Sequence, residues 1–212
     1  MSITQRKRPV EALGDYTKLH GEYRLAVTSG LSTVVAAATT SAGFLFTMRN
    51  PSTTKKVVLR YLQGSFITST GFGTVQPIGL DLIVARVYSA SCTGGTAIDM
   101  GSTLVANKLN VNQATSLFTA NTCRIGSTGA LTAGTHTLDA NAIAMKTGIG
   151  SASIGVQTDF PLFDARDDGA STVRSPLVLT TDEGIVVRNL ILMGATGVGY
   201  WTFNVEWDEV TV

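Results

Sequence analysis

The run from Tyr200 to Val210 constrains the fold more than any other stretch of the chain. Trp201, Phe203, Val205 and Trp207 alternate there with Thr202, Asn204, Glu206 and Asp208. A period of two is the repeat of an extended strand and is incompatible with a helix, whose period is 3.6. Both tryptophans fall on one face, which predicts a strand packed on the core with Trp201 and Trp207 at least partly buried. Similar but shorter runs rich in Val, Ile, Leu, Phe and Thr recur between clusters of Gly, Ser, Thr and Asn. They span Gly43 to Met48, Lys56 to Ile67, Gly79 to Ser89, Asn121 to Ile125, Pro176 to Thr180 and Gly184 to Met193, with Leu25 to Ala38 supplying one or two more. About eight short strands with turn signals between them predict an all-β sandwich or barrel.

Composition supports this reading. Charged residues make up 15% of the chain, against about 25% in an average protein. The hydrophobic fraction is an ordinary 44%, so Thr, Ser and Gly fill the gap. Coiled coils and long helical bundles need far more Glu, Lys and Arg. The 212 residues suffice for one domain with one substantial core. A formal charge of +1 provides no overall field toward nucleic acid or anionic lipid, so a protein or sugar partner is expected.

Some strands carry finer detail. Within Val57 to Phe66, Val57, Leu59 and Tyr61 share one face, and Gly64 interrupts the run where a bulge is expected. In Gly79 to Tyr88, Leu80, Leu82 and Val84 oppose Asp81, Ile83 and Ala85, so both faces are expected to be covered, by a second sheet or by another subunit. Gly194 to Gly199 holds three glycines between two strand patterns and reads as a hairpin turn. The stretch from Ser91 to about Asp159, with few large residues, is expected to form long loops, with one short helix around Asn107 to Leu117.

The N-terminal segment differs from the rest. Arg6, Lys7, Arg8, Lys18 and Arg24 are five of the 16 basic residues, and no strand or helix period is present. Residues 1–23 are therefore read as an arm and 24–212 as the sandwich domain. The cations Arg6, Lys7, Arg8 and Lys18 are the candidate protein-interaction residues, forming a strap that lies on a neighbouring subunit. A phosphate clamp for nucleic acid is the weaker alternative, because Pro9, Glu11 and Asp15 follow the basic run. The polar and acidic residues after that run do not suit a secretory signal, so synthesis and retention in a cytoplasm are expected. Leu25 to Met48 carries eight Ser and Thr residues, too many for a membrane helix.

No motif points to catalysis. His20 and His136 have no third ligand at metal-binding spacing. Cys92 and Cys123 are read as reduced thiols, and no G-x-S-x-G elbow occurs. Asp164 to Gly169 gathers three carboxylates, but Arg166 and Ser175 occupy the positions where a calcium loop needs acids. A charged surface turn is the better reading there, with a low-affinity cation site as the alternative. No catalytic, cofactor or metal residue is assigned, and no enzyme activity is expected.

Four runs carry a family resemblance. They are Phe44-Leu45-Phe46-Thr47-Met48-Arg49-Asn50-Pro51, Gly79-Leu80-Asp81-Leu82-Ile83-Val84-Ala85-Arg86, Leu131-Thr132-Ala133-Gly134-Thr135-His136-Thr137-Leu138-Asp139, and Arg188-Asn189 through Met193-Gly194-Ala195-Thr196-Gly197 to Val205-Glu206-Trp207. Over roughly residues 24–210 the chain resembles small virion structural proteins of tailed bacteriophages, of the capsid decoration or cement kind. The resemblance implies a jelly-roll-like β-sandwich, located on the capsid surface of the virion and bound to the major capsid protein or other virion proteins. It also implies a homo-oligomer, with a trimer as the expected number. A neck, tail or fibre-base component is the alternative role. A carbohydrate-binding virion module is another, for which Tyr16, Tyr88 and Phe118 are the aromatics expected to be free. A hydrolase whose site lacks a sequence motif is the last.

Overall fold

The computed structural model describes residues 20–29, 43–100, 107–108, 114–127, 130–165, 175–191 and 197–212. Among them are thirteen strands and no helix. They are β1 (His20–Thr28), β2 (Phe44–Asn50), β3 (Lys55–Thr70), β4 (Gln76–Ala90), β5 (Thr96–Ala97), β6 (Asn107–Lys108), β7 (Cys123–Ile125), β8 (Thr135–Leu138), β9 (Ala144–Gly150), β10 (Gln157–Asp164), β11 (Leu177–Leu179), β12 (Glu183–Asn189) and β13 (Val198–Thr211).

All pairings are antiparallel. The first sheet runs β10-β3-β13-β1-β6, with β11 following β10 along the same edge of β3. The second runs β5-β7-β2-β12-β4-β8, with β9 sharing the outer edge of β4 with β8. Reduced to their main strands, the sheets are β1-β13-β3-β10 and β2-β12-β4-β9. The chain passes between sheets at nearly every step and stays in one sheet only from β4 to β9. That order is the double Greek key of a jelly roll.

The core lies between the sheets. β13 presents Trp201, Phe203, Val205 and Trp207 inward, all of them buried. Phe203 stacks on Phe46 of the opposite sheet with ring centroids 5.2 Å apart, and Trp201 packs against Phe66 at 4.9 Å and Phe160 at 5.5 Å. The outward residues Thr202, Asn204 and Glu206 are half-buried, and Glu206 pairs with Arg24 at 2.7 Å.

Several expectations require correction. β1 begins at His20, and Tyr23 is buried against Trp207 with centroids 5.5 Å apart. Residues 20–23 therefore belong to the sandwich, and a boundary at 24 cuts through its first strand. Gly64 is regularly paired with Phe203, whereas the irregularity lies at Arg60, because Glu206 faces Tyr61 and Trp207 faces Leu59. The extra residue shifts the phase of β3, so Val57 and Leu59 point inward before it and Leu62, Gly64, Phe66 and Thr68 after it, leaving Tyr61 outside. Gly64 has a packing reason: a Cβ there would come within 2.5 Å of Leu80 Cδ1 and 3.1 Å of Phe203 Cε1.

Asn107 and Lys108 form a short strand on β1, and no helix is present among described residues of 107–117. The supposed loop region from 91 to 159 carries β5 to β9 and the start of β10. Finally, β12 and β13 lie in different sheets and so do not form a hairpin, while residues 192–196 of the glycine-rich run between them lie outside the described residues.

Both faces of β4 are covered, as its pattern predicts. Ile78, Leu80, Leu82 and Val84 face the core. On the outer face, Ala85 and Val186 lie beneath a small layer built from Tyr88, Cys92, Leu131, Phe44 and Leu138. This layer belongs to the same chain. Farther along that face, the buried carboxylate of Asp81 accepts from Arg188 through Nε at 3.1 Å and Nη2 at 2.5 Å.

Candidate interaction surface

The candidate cations Arg6, Lys7, Arg8 and Lys18 lie outside the described residues, as do Tyr16 and residues 166–169 of the charged turn. The first described residue, His20, pairs with Val210, so the N-terminal segment joins the sandwich at the first sheet.

Many of the charged side chains within the described residues are engaged in holding the fold. Glu209 closes one end of the core: Oε1 accepts from Ser116 Oγ at 2.7 Å and Leu117 N at 2.9 Å, while Oε2 meets Lys55 Nζ at 3.0 Å. This ties down the segment carrying Phe118, which packs edge-on against Trp207 at 5.6 Å. The phenol of Tyr23 donates to Ala114 O at 2.8 Å. Asp208 binds Arg60 at 2.6 Å, Asp182 binds Arg49 at 2.7 Å, and Arg86 bridges Asp139 and Glu183. Burial alone would raise the Glu183 carboxyl, but hydrogen bonds from Thr180 and Arg86 outweigh it and hold the group below its ordinary range.

Both cysteines are free and buried. Burial pushes the Cys123 thiol far up, which removes the thiolate a nucleophile needs. Cys92 Sγ lies 3.0 Å from Tyr88 Oη. His136 sits on β8 with its ring 4.8 Å from that of Tyr88 and 5.4 Å from Phe44, opposite the irregular Val87–Ser89 stretch of β4. Its Nδ1 is buried without a partner, and burial lowers its pKa. Among the described residues, no group of three or more His, Cys, Asp or Glu is placed to hold a metal ion. Tyr88 and Phe118, expected to be free for stacking on a sugar, are fully buried. Each fills an internal gap, Tyr88 beneath β8 and Phe118 against Trp207.

Among the described residues, exposed apolar side chains concentrate in one region. Ile143, Met145, Ile149, Ile154 and Val156 are all exposed, Met145 at 58%, Ile149 at 62% and Ile154 at 71%. They lie at the start of β9, along it and in the turn into β10, Ile143 immediately preceding the strand, and the exposed Val75 stands just before β4. β9 is inverted relative to an ordinary sandwich strand. Met145, Thr147 and Ile149 point out, while Gly148 and Gly150 point in beneath Phe160 and Phe72. A Cβ on Gly148 would meet Thr158 Cγ2 at 2.4 Å and Phe160 at 3.2 Å, and one on Gly150 would meet Phe72 at 3.1 Å. Aromatics from other elements fill the interior at this seam, so the large residues of β9 are left to solvent.

At the far end of the same seam, β9 and β10 part as they join different sheets. They leave a cleft of about 500 Å³ lined by Ile143, Met145, Lys146, Leu162, Phe163 and Asp164. Pro161 lies on its β10 lip, in an edge strand where a missing N–H is tolerated. The sequence carries a signal for this surface, since Ile143, Met145, Thr147 and Ile149 alternate with Ala144, Lys146, Gly148 and Gly150. Alternating large and small residues read as a loop when small residues are assumed to be outside.

No protein-family model matches the chain, and no curated protein matches it. Two solved structures of infectious bursal disease virus, the VP2 subviral particle and the virus-derived T=1 particle, align at 9% and 10% identity. They cover 90% of this chain, with TM-scores of 0.16 and 0.13. The alignments take in 42% and 41% of those chains, so the present chain spans less than half their length. At those scores neither likeness bears on function.

Proposed function

We propose that this chain is a non-enzymatic virion structural subunit of the decoration or cement kind, which binds an assembled phage capsid shell from outside and stabilises it. The observation that carries the reading is the exposed apolar edge at β9 and β10, in a domain where Asp182, Asp208 and Glu209 are held in ion pairs and both cysteines are buried. Exposed apolar surface of this kind marks an association site. The four runs that resemble phage virion proteins supply the setting, as does the jelly-roll order, a fold-level analogy shared with viral shell domains.

Mechanistically, such a subunit acts by linkage. Anything that binds the closed shell and not its opened form shifts the equilibrium toward the closed shell. The basic N-terminal segment, with Arg6, Lys7, Arg8 and Lys18, serves as the strap onto a neighbouring capsid subunit, its charge giving the contact a dependence on ionic strength.

The test is binding to purified shells by the full chain and by a chain lacking residues 2–19, which leaves β1 intact. Saturation at hundreds of copies per shell, with folding preserved and binding weakened by the deletion, is the expected result. Saturation at about six or twelve copies would favour a neck or tail ring, and equal binding by both chains would dismiss the strap.

A further inference from the structure

We infer that the shell contact at β9 is made by strand addition: an extended segment of a shell subunit enters the cleft between β9 and β10 and pairs its backbone with the free edge of β9 at Met145 and Thr147. The inference rests on the shell-binding reading for the source of the segment, and adds to it the backbone chemistry that holds the two together.

The hydrogen-bonding parity of β9 follows from its neighbours. In an antiparallel ladder each residue turns its N–H and C=O to one side, and successive residues alternate between the two sides. Leu190 N donates to Gly79 O at 2.9 Å, so Gly79 of β4 turns its carbonyl toward β12. Ile78, Leu80 and Leu82 therefore turn theirs toward β9, in keeping with the bond from Ile143 N to Leu82 O at 2.8 Å. Their partners in register are Gly148, Lys146 and Ala144, whose polar groups are used within the sheet. Met145, Thr147 and Ile149 are left pointing away from β4. Two observations agree with this. Pro77, which has no N–H to offer, stands opposite Ile149, and the carbonyl of Ile149 accepts from Thr158 Oγ1 at 3.1 Å. Among the described residues, no backbone group meets the outward N–H and C=O of Met145 and Thr147.

Edge strands are ordinarily protected by charge, proline or a bulge. The β10 edge has both Pro161 and a bulge between Pro161 and Phe163. The β9 edge has neither, and residues 140–158 contain a single charged side chain, Lys146. The open edge runs along the cleft, with Ala144, Met145 and Lys146 on one wall and Pro161, Leu162 and Phe163 on the other.

Unmet donors and acceptors in line along a strand edge are the complement of another extended polypeptide. A lipid surface or a nucleic acid does not present that pattern. Because β10 closes the far side of the cleft, the incoming segment must be a narrow strand with no sheet behind it. A second β9, whose Gly148 and Gly150 lie beneath Phe160 and Phe72 of its own sandwich, is too thick to enter. Side chains on one face of the added strand lie beside Met145, and those on the other meet Leu162 and Phe163. The segment is therefore apolar at alternate positions.

The test is equilibrium binding to purified shells by the full chain and by its Thr147→Pro variant, with Thr147→Ala as the side-chain control. Proline at 147 removes an N–H that faces away from β4, where an edge strand tolerates the loss, so the thermal midpoint is expected to stay near that of the parent. Shell affinity is expected to fall about tenfold or more, because a carbonyl of the added strand loses its donor. Thr147→Ala is expected to bind as the parent does. Met145→Pro repeats the test at the other free amide. Folded proline variants that bind as tightly as the parent overturn strand addition and leave shell binding through side chains standing. Unfolding of both proline variants also overturns it, since those amides would then be in use within the fold. A parent that ignores shells refutes the shell reading together with this one. Self-association of the free chain that Thr147→Pro abolishes would make the occupant a second copy and overturn the shell segment.

Discussion

The β3–β13 pair and the β9–β10 edge are built from opposite solutions to the same packing problem. Along β13 the large side chains point inward, and Trp201, Phe203 and Trp207 are buried while their neighbours stay half-exposed. Along β9 glycines point inward beneath Phe160 and Phe72, and the large side chains face solvent. The first arrangement gains its free energy within the chain, at about 25 cal/mol for each Å² of apolar surface removed from water. The second leaves that gain to be realised only when something covers the edge. Stability and association thus occupy different parts of one sandwich, and substitutions should separate them.

The sharpest break between the two regions comes from truncation. Trp201→Ala is expected to cost about 3–5 kcal/mol, as a large aromatic lost from a packed core does, read from the midpoint of urea unfolding. Next comes the outer face of the second sheet. Asp81→Ala leaves the partly buried Arg188 guanidinium without its carboxylate, and a loss of about 1–3 kcal/mol is expected. Arg86→Ala, which removes an exposed pair, should cost less than about 1 kcal/mol.

Within β9 itself the contrast sharpens. Gly148→Ala pushes a methyl group toward Thr158 and Phe160 and is expected to cost about 1–3 kcal/mol by overpacking. Ile149→Ala, one residue on, should stay within about 0.5 kcal/mol of the parent. Equal effects of these two substitutions would mean that the strand is not inverted.

The smallest effect is a dependence on pH at the outer layer of the second sheet. Burial lowers the pKa of His136 from 6.5. The unfolded chain therefore binds the proton more readily, and stability rises with pH across the interval between the folded value and 6.5. The contribution is complete above 6.5 and is lost as pH falls through the folded value. His136→Phe should flatten the pH dependence of the unfolding midpoint in that interval. The carboxylates of Asp159 and Glu183, both held low, lose their contributions only at more acid pH, so the two effects separate along the axis.

The legible part of the fold is the part that obeys alternation. Trp201 to Trp207 announces its strand, and the doubled pattern of Leu80 to Ala85 announces cover on both faces. The phase shift at Arg60 was not legible, because a bulge is set by its partner strand: Glu206 and Trp207 skip one residue of β3, and nothing within Val57 to Phe66 records this. Gly64 drew the eye as a breaker, yet its role is to admit Leu80 and Phe203. Tyr23 reads as part of the arm in the sequence because its partner, Trp207, lies 184 positions away in the chain. The apolar edge at β9 is hidden in the sequence for a similar reason. The glycines of β9 read as loop residues until Phe160 and Phe72 are seen to fill the space above them.

Hydrogen exchange on the parent, free and bound to purified shells, tests the division between core and edge most directly. Peptides covering residues 143–156 are expected to exchange more slowly in the bound chain, while peptides covering Tyr200 to Val210 exchange at the same rate in both. Equal protection of 143–156 with and without shells, or a change in protection along Tyr200 to Val210, would contradict it.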